Sequence, residues 1–386
     1  MKVEISENIK YIGVDDKEID LFESQYIVPN GISYNSYVIL DDKIAVMDSV
    51  DERFADQWLS NLKNELDGKA PDYLVVEHLE PDHAGSIGIF CNEYTDAKIV
   101  CSAKAKAMLP QFFDIDESRI IAVGEGETLD LGGHKLTFVM APMVHWPEVM
   151  VAYESTEKVL FSADGFGKFG ALDTDEDWAC EARRYYFNIV GKYGGPVQTL
   201  LKKASALDIK TICPLHGPIL TDTIPEVLRL YNIWSSYQPE SEGIFIAHPS
   251  IHGNTAKAAA QFKEMLEARG VKKVAIADLC RDDLAECVED AFRYPTTVLM
   301  ASSYDGGVFT PMSDFLHRLS AKAYQNRTVA LVENFSWAAT AGKVMRAELE
   351  KMKNITIAQN TVSIKTTVTP QTTEAFEKLA DEISGK

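Results

Sequence analysis

The stretch Tyr73-Leu74-Val75-Val76-Glu77-His78-Leu79-Glu80-Pro81-Asp82-His83 changes character in its middle. Its first four residues form a short apolar run of buried-strand type. Four candidate metal ligands follow, His78, Glu80, Asp82 and His83, within six residues, a density that packing does not explain. Residues i and i+2 of an extended segment point the same way, so His78, Glu80 and Asp82 are expected to face one pocket, with Pro81 stiffening the segment.

The same juxtaposition recurs along the first half. His145 follows KLTFVMAPMV, Asp164 follows VLFSA, and His216 follows TICPL, each closing a strand-like run, so all seven groups can meet at one sheet edge. His134 and His317 have no such company and read as ordinary surface or core histidines. Between these points, apolar or alternating runs at Ser36 to Leu40, Ile44 to Asp48, Lys98 to Cys101, Ile120 to Val123, Lys135 to Met140, Val149 to Tyr153 and Val159 to Ser162 predict two sheets with helices outside. A helix is expected from Glu52 to Leu66.

From Gly243 onward the rhythm becomes strand and helix in regular alternation: GIFIAH, KKVAIADL, TTVLMAS, TVALVEN and a short strand near Ile355 to Ala358, with the last helix starting at Pro370. Five such βα units predict a flavodoxin-like five-stranded parallel α/β domain. The polar link Gln238 to Gly243, after a helix Ile224 to Tyr237, sets the expected domains at 1–240 and 241–386. Ligands of open parallel sheets bind beyond the strands' C-terminal ends, and three loops there carry the right chemistry. The first, Ser250-Ile251-His252-Gly253-Asn254-Thr255, offers backbone N–H groups, hydroxyls and a helix N-terminus to a phosphate. The others are Ser302-Ser303-Tyr304-Asp305-Gly306-Gly307 and Glu333-Asn334-Phe335-Ser336-Trp337. Together they point to FMN, with Tyr304 and Trp337 bordering the ring and the two glycines allowing close backbone approach.

A chain of 386 residues exceeds what one hydrophobic core ordinarily serves, in keeping with two domains. The net charge of −20 repels polyanions, which argues against nucleic acid as a partner. Met1 to Gly13 shows no signal-peptide pattern, no apolar run reaches membrane-span length, and the end EISGK has no lipidation motif, so a soluble cytoplasmic protein is expected. The six cysteines form no C-x-x-C pair and read as reduced, mostly buried thiols. Without such pairs there is no rubredoxin-type iron centre, and any donor of that kind must be a separate protein.

The motif H-x-E-x-D-H at His78 to His83, with His145 in HWPE, Asp164 in ADGFGKFG and His216 in LHGP, resembles the metallo-β-lactamase-like domain of flavodiiron proteins. The resemblance implies an N-terminal αββα sandwich in which His78, Glu80 and His145 hold one iron, Asp82, His83 and His216 the other, and Asp164 bridges. It implies reduction of O2 to water and/or NO to N2O, with electrons relayed through FMN from a rubredoxin-like donor, in a head-to-tail homodimer or a dimer of dimers. Hydrolases of the superfamily usually carry histidine where this chain has Glu80. Hard carboxylate oxygens with imidazoles suit iron, whereas zinc favours more nitrogen and sulfur.

Trp146 and Phe166 to Phe169 are expected to shield the pocket from water, and Glu23 is a candidate acid behind the ligands. His252 and Phe335 depart from the residues common in similar flavodoxin loops and bear on the flavin's redox tuning. Two other readings stay open at this point. One is a metallo-β-lactamase-superfamily hydrolase with an accessory flavodoxin domain. The other is a non-catalytic electron carrier or gas sensor.

Overall fold

The apolar runs of the first half form two layered sheets in a computed structural model of the chain, which describes residues 5–385. Met1 to Glu4 and Lys386, which enter the reading of the two chain ends, lie outside the described residues. The six-stranded sheet runs in the order Ile9–Tyr11, Tyr37–Ile39, Ala45–Met47, Tyr73–Val76, Lys98–Ser102, Ile120–Val123, antiparallel for the first three strands and parallel thereafter. The five-stranded sheet comprises Thr128–Asp130, Lys135–Met140, Met150–Glu154, Val159–Phe161 and Thr211–Cys213, the last two paired in parallel.

Alternate residues of both sheets meet in one core: Tyr37, Ile39, Ala45, Met47, Val75 and Val100 from the first, Leu136, Phe138, Met150, Ala152, Val159 and Phe161 from the second. Period-two alternation sends these side chains inward. The opposite face of the first sheet is also covered, since Val38, Val46 and Leu74 are buried there. Trp58, Leu59 and Leu62 of the helix Ala55–Leu66 are buried as well. The expected helix start at Glu52 is a 3-10 turn, Glu52–Phe54, capped by Asp51.

The second unit is a parallel sheet ordered Val274–Asp278, Ile244–His248, Thr296–Tyr304, Arg327–Phe335, Ile355–Ile357. Ile244, Ile246, Val298, Met300, Ala330 and Val332 pack one face against Phe262 and Leu266 of the helix Asn254–Ala268, and against Phe376 and Leu379 of Pro370–Ser384. The fifth position is broken in two: Val362–Lys365 also pairs with Arg327–Phe335, further along it. The sequence reading places one short strand near Ile355 to Ala358 and does not contain the second piece.

The compact units divide differently from a single cut near residue 240: Phe187–Lys192 and the chain from Ile233 onward belong to the second unit, the remainder to the first. The physical reason lies in Phe187, which stacks on Phe292 at 4.3 Å, and Asn188, whose Nδ2 donates to the Ala285 carbonyl at 3.1 Å. Among the described residues no helix is long and apolar enough to cross a membrane.

Candidate metal centre and nucleotide cavity

A parallel strand buried on both faces must release its chain into a polar loop at its end, and those loops deliver the donor groups. His78 lies two residues beyond Val76, Asp164 three beyond Phe161, and His216 three beyond Cys213. His145 is carried by the loop between Lys135–Met140 and Met150–Glu154. The seven side chains converge as two groups, His78, Glu80, His145 and Asp164 in one, and Asp82, His83 and His216 in the other. Within each group the donor atoms lie within 4.8 Å of one another.

Asp164 faces both. Its Oδ2 stands 3.2 Å from Nε2 of His78 and 3.0 Å from Nε2 of His145, while Oδ1 stands 3.4 and 3.6 Å from Nε2 of His83 and His216. Glu80 Oε2 is 3.0 Å from His145 and 3.3 Å from His78, and Asp82 Oδ2 is 3.3 Å from His216 and 3.4 Å from His83.

One expectation needs correction. Asp82 does not continue the extended line of His78 and Glu80, because the chain turns helical at Pro81, and Pro81–Ala84 is a single helical turn with Glu80 at its N-cap. Proline at the first helical position loses no hydrogen bond and presets φ, so here it starts a helix rather than stiffening a strand. The turn swings Asp82 and His83 together toward His216.

The charge balance of the cluster calls for cations. Burial opposes ionisation throughout, yet Asp164, Glu148 and Glu80 hold His78 well above the ordinary imidazole range. Likewise, against burial, Asp164 and Glu80 push His145 up to about 9. Asp164 itself is held well below the usual carboxylate range by His78, His145 and His83 despite complete burial. Both oxygens of Asp82 and of Asp164 are buried without a hydrogen-bond partner among the described residues. Nε2 of His83 and Nε2 of His216 face each other at 3.0 Å, while Nδ1 of His216 lies 2.7 Å from the Ser33 carbonyl. With Nδ1–H donating there, the neutral ring of His216 presents its Nε2 lone pair toward His83, where a cation can accept it. Two nitrogen and oxygen cages sharing one carboxylate, with no thiolate in either, fit a pair of hard-to-borderline transition ions.

Aromatic side chains wall the cluster. Trp146 stands edge-on to His78 at 5.2 Å, and Phe22 and Tyr185 approach His216 at 5.4 and 5.5 Å. Phe166 and Phe169, expected at this wall, stand one layer further out, against Tyr231 and Tyr185 respectively. A cavity of about 340 Å³ opens beside Glu80 and Asp82, lined also by Tyr34, Asp51, Arg53 and Glu23. Desolvation and the adjacent Glu80 carboxylate push Glu23 up to about 7.

In the second unit a cavity of about 520 Å³ lies at the strands' C-terminal ends. Ser250, Ile251, His252, Asn254, Thr255, Ser302, Ser303, Tyr304, Asp305, Gly306, Asn334, Phe335, Ser336 and Trp337 line it, joined by Ala338, Thr340 and Thr366. Its size falls within the ordinary range of cofactor pockets. Hydrogen bonds lock the three loops together: Thr255 Oγ1 to Ser302 Oγ at 3.1 Å, Asn334 Nδ2 to Thr255 Oγ1 at 3.3 Å, and Thr340 N–H to Ser303 Oγ at 2.9 Å.

Three expected residues stand behind the lining. Gly253 supplies the positive φ of 89° that starts the helix Asn254–Ala268. Gly307 pairs with Tyr304 in a hairpin, and Glu333 accepts the Gly342 N–H and the Ser363 hydroxyl. Trp337 is 92% exposed and Tyr304 packs on Phe309, so neither ring is buried against the other.

The model of the family described as "ODP family beta lactamase" matches residues 32–217. The anaerobic nitric oxide reductase flavorubredoxin of Escherichia coli is 29% identical, over 88% of this chain and 74% of its own. The rubredoxin oxygen:oxidoreductase of Desulfovibrio gigas superposes with a TM-score of 0.93 at 24% identity, covering 100% of this chain and 98% of that one. The flavodiiron protein of Giardia intestinalis gives 0.93 at 23%, covering 99% and 96%. The chain thus shares the fold of the Giardia intestinalis flavodiiron protein.

Several residues of this chain's site escaped the sequence reading. Glu148 lies 2.9 Å from Nδ1 of His78. Ser33, Tyr34 and Phe22 come from strands of only two or three residues, too short to show a period. Thr366 arrives with the unexpected strand piece Val362–Lys365. HWPE was the available signal for Glu148, since an acid three residues after a ligand histidine invites the question of what it bonds.

Proposed function

We propose that this chain reduces a small diatomic gas, O2 to water and/or NO to N2O, at a pair of irons held by His78, Glu80 and His145 on one side and Asp82, His83 and His216 on the other, with Asp164 between them. The observation that carries this reading is the division of Asp164's two oxygens between the groups. When bound, two ferrous ions and a fully reduced flavin together hold the four electrons that O2 requires, and two electrons suffice to join two NO molecules. The chain's own contribution is to fix four imidazoles and three carboxylates in a site that Trp146, Phe22 and Tyr185 screen from bulk water. The phosphate of FMN is assigned to the 250–255 loop at the helix N-terminus, and its ring to the rim formed by Tyr304 and Trp337.

The donor belongs to the rubredoxin type, as the name of the Desulfovibrio gigas protein indicates for that enzyme. Pairing of two chains head to tail is part of the proposal. Exposed apolar side chains lie at both mouths, Leu21 at the metal pocket and Ile251, Tyr304 and Trp337 at the nucleotide cavity, a surface that a second copy would cover.

Iron and flavin stoichiometry, followed by O2 and NO consumption with a reduced rubredoxin donor, tests the reading. Two irons and one FMN per chain with turnover on either gas support it. Two zinc ions, no flavin and hydrolytic activity would refute it in favour of the hydrolase. Full cofactors without turnover would leave a carrier or sensor.

A further inference from the structure

The two groups of donors match in kind, each with two imidazoles, one carboxylate and a share of Asp164, but their supports differ. Behind His78 lies Glu148, itself 1% exposed, with Oε1 2.9 Å from Nδ1 and 3.0 Å from the donating Leu79 N–H. Ser102 donates its hydroxyl to the Glu148 carbonyl at 2.7 Å, which fixes the backbone from which this carboxylate projects. Nδ1 of His78 and the Leu79 N–H thus converge on the one oxygen Oε1 of this buried carboxyl. In the other group the support among the described residues is uncharged: Nδ1 of His216 meets the Ser33 carbonyl, and Nδ1 of His83 is buried with no hydrogen-bond partner among them.

We infer that Glu148 is a positioning residue that makes the two metal positions unequal, so that the position of His78, Glu80 and His145 binds a divalent ion more tightly and fills first. A carboxylate accepting Nδ1–H fixes the tautomer that leaves Nε2 free, locks the ring's direction and polarises it toward the metal. It also sets a buried carboxyl directly against a ligand of that position, where the described supports of its neighbour are a carbonyl alone. The inference rests on the two-metal reading of the site.

Calorimetric titration of the metal-depleted, FMN-loaded full chain with cobalt(II) tests it. Two classes of site are expected. His216→Ala should leave only the His78 position and His145→Ala only the other. Adding Glu148→Gln should weaken cobalt binding about 10- to 100-fold in the His216→Ala background and leave it unchanged in the His145→Ala background. A merely structural role would weaken both backgrounds alike. That result, no effect in either, or a single class of two equal sites in the unsubstituted chain would overturn the inference. Glu148→Asp, which keeps the charge but retracts it, should recover part of the loss, and it carries the same comparison should the glutamine variant not fold. Fewer than two cobalt ions per unsubstituted chain would instead refute the two-metal reading itself.

Discussion

Asp164→Asn is the sharpest perturbation of the metal site. The aspartate is 1% exposed, and its oxygens stand 3.0 to 3.6 Å from four imidazole Nε2 atoms, two per oxygen. Asparagine keeps the shape but turns one oxygen into an NH2 group, which cannot accept or coordinate, and it removes a full negative charge. One group of donors then loses its share of the bridge outright, and the other keeps a weaker, neutral oxygen. Removing one partner from a buried charge cluster costs about 3–5 kcal/mol. At about 1.4 kcal/mol per decade, that is roughly two to three and a half decades in metal affinity.

The assay is total metal and total flavin on the same purified sample, with a chelator-competition series to read the affinity. Iron should fall from about two per chain to one or fewer, gas consumption should vanish, and FMN should stay at one per chain, because the nucleotide cavity shares no residue with the cluster. Two tightly held irons in the variant would refute the reasoning, since they would show that Asp164 bonds to neither.

Asn254→Asp places a charge at the N-terminus of Asn254–Ala268, on the cavity wall; repulsion of about 3 kcal/mol at roughly 5 Å and an effective dielectric of about 20, reduced by solvent, should weaken FMN about tenfold or more, measured by flavin fluorescence. His134 was expected to be unremarkable, yet it is buried between Asp41 Oδ2 at 2.8 Å and Glu157 Oε1 at 3.1 Å. Against burial, these carboxylates raise its pKa, so its contribution is fully present below the unfolded value of about 6.5 and is lost as pH rises through the folded value. His134→Ala should therefore cost about 2 kcal/mol in urea melts at pH 6 and markedly less at pH 9; equal costs would contradict the charged clasp. Phe138→Ala, at the centre of the core between the two sheets, should cost about 3–5 kcal/mol, and the flavin unit's own transition should stay in place in the same denaturation experiment.

What the sequence made readable follows from one physical rule. A strand covered on both faces reads as an unbroken apolar run, so the point where YLVV gives way to EHLEPDH marks a sheet edge, and the same holds ahead of Asp164 and His216. Regular alternation after Gly243 announced the parallel sheet in the same way, through the spacing of its runs. Where the reading failed, the deciding interaction was not local. Pro81 carries two meanings, stiffener of a strand or first residue of a helix, and only the packing of Asp82 and His83 beside His216 selects the second. Glu148 is separated from His78 by 70 positions, and nothing in the alternation of either segment says that their loops touch. Periodicity thus reveals which side chains end the strands and point at the site. The groups that orient those side chains, Glu148, Ser33 and Thr366 among them, are chosen by which loops the fold brings side by side, so an outer carboxylate of the kind that differentiates the two metal positions comes into view only once the sheets are assembled.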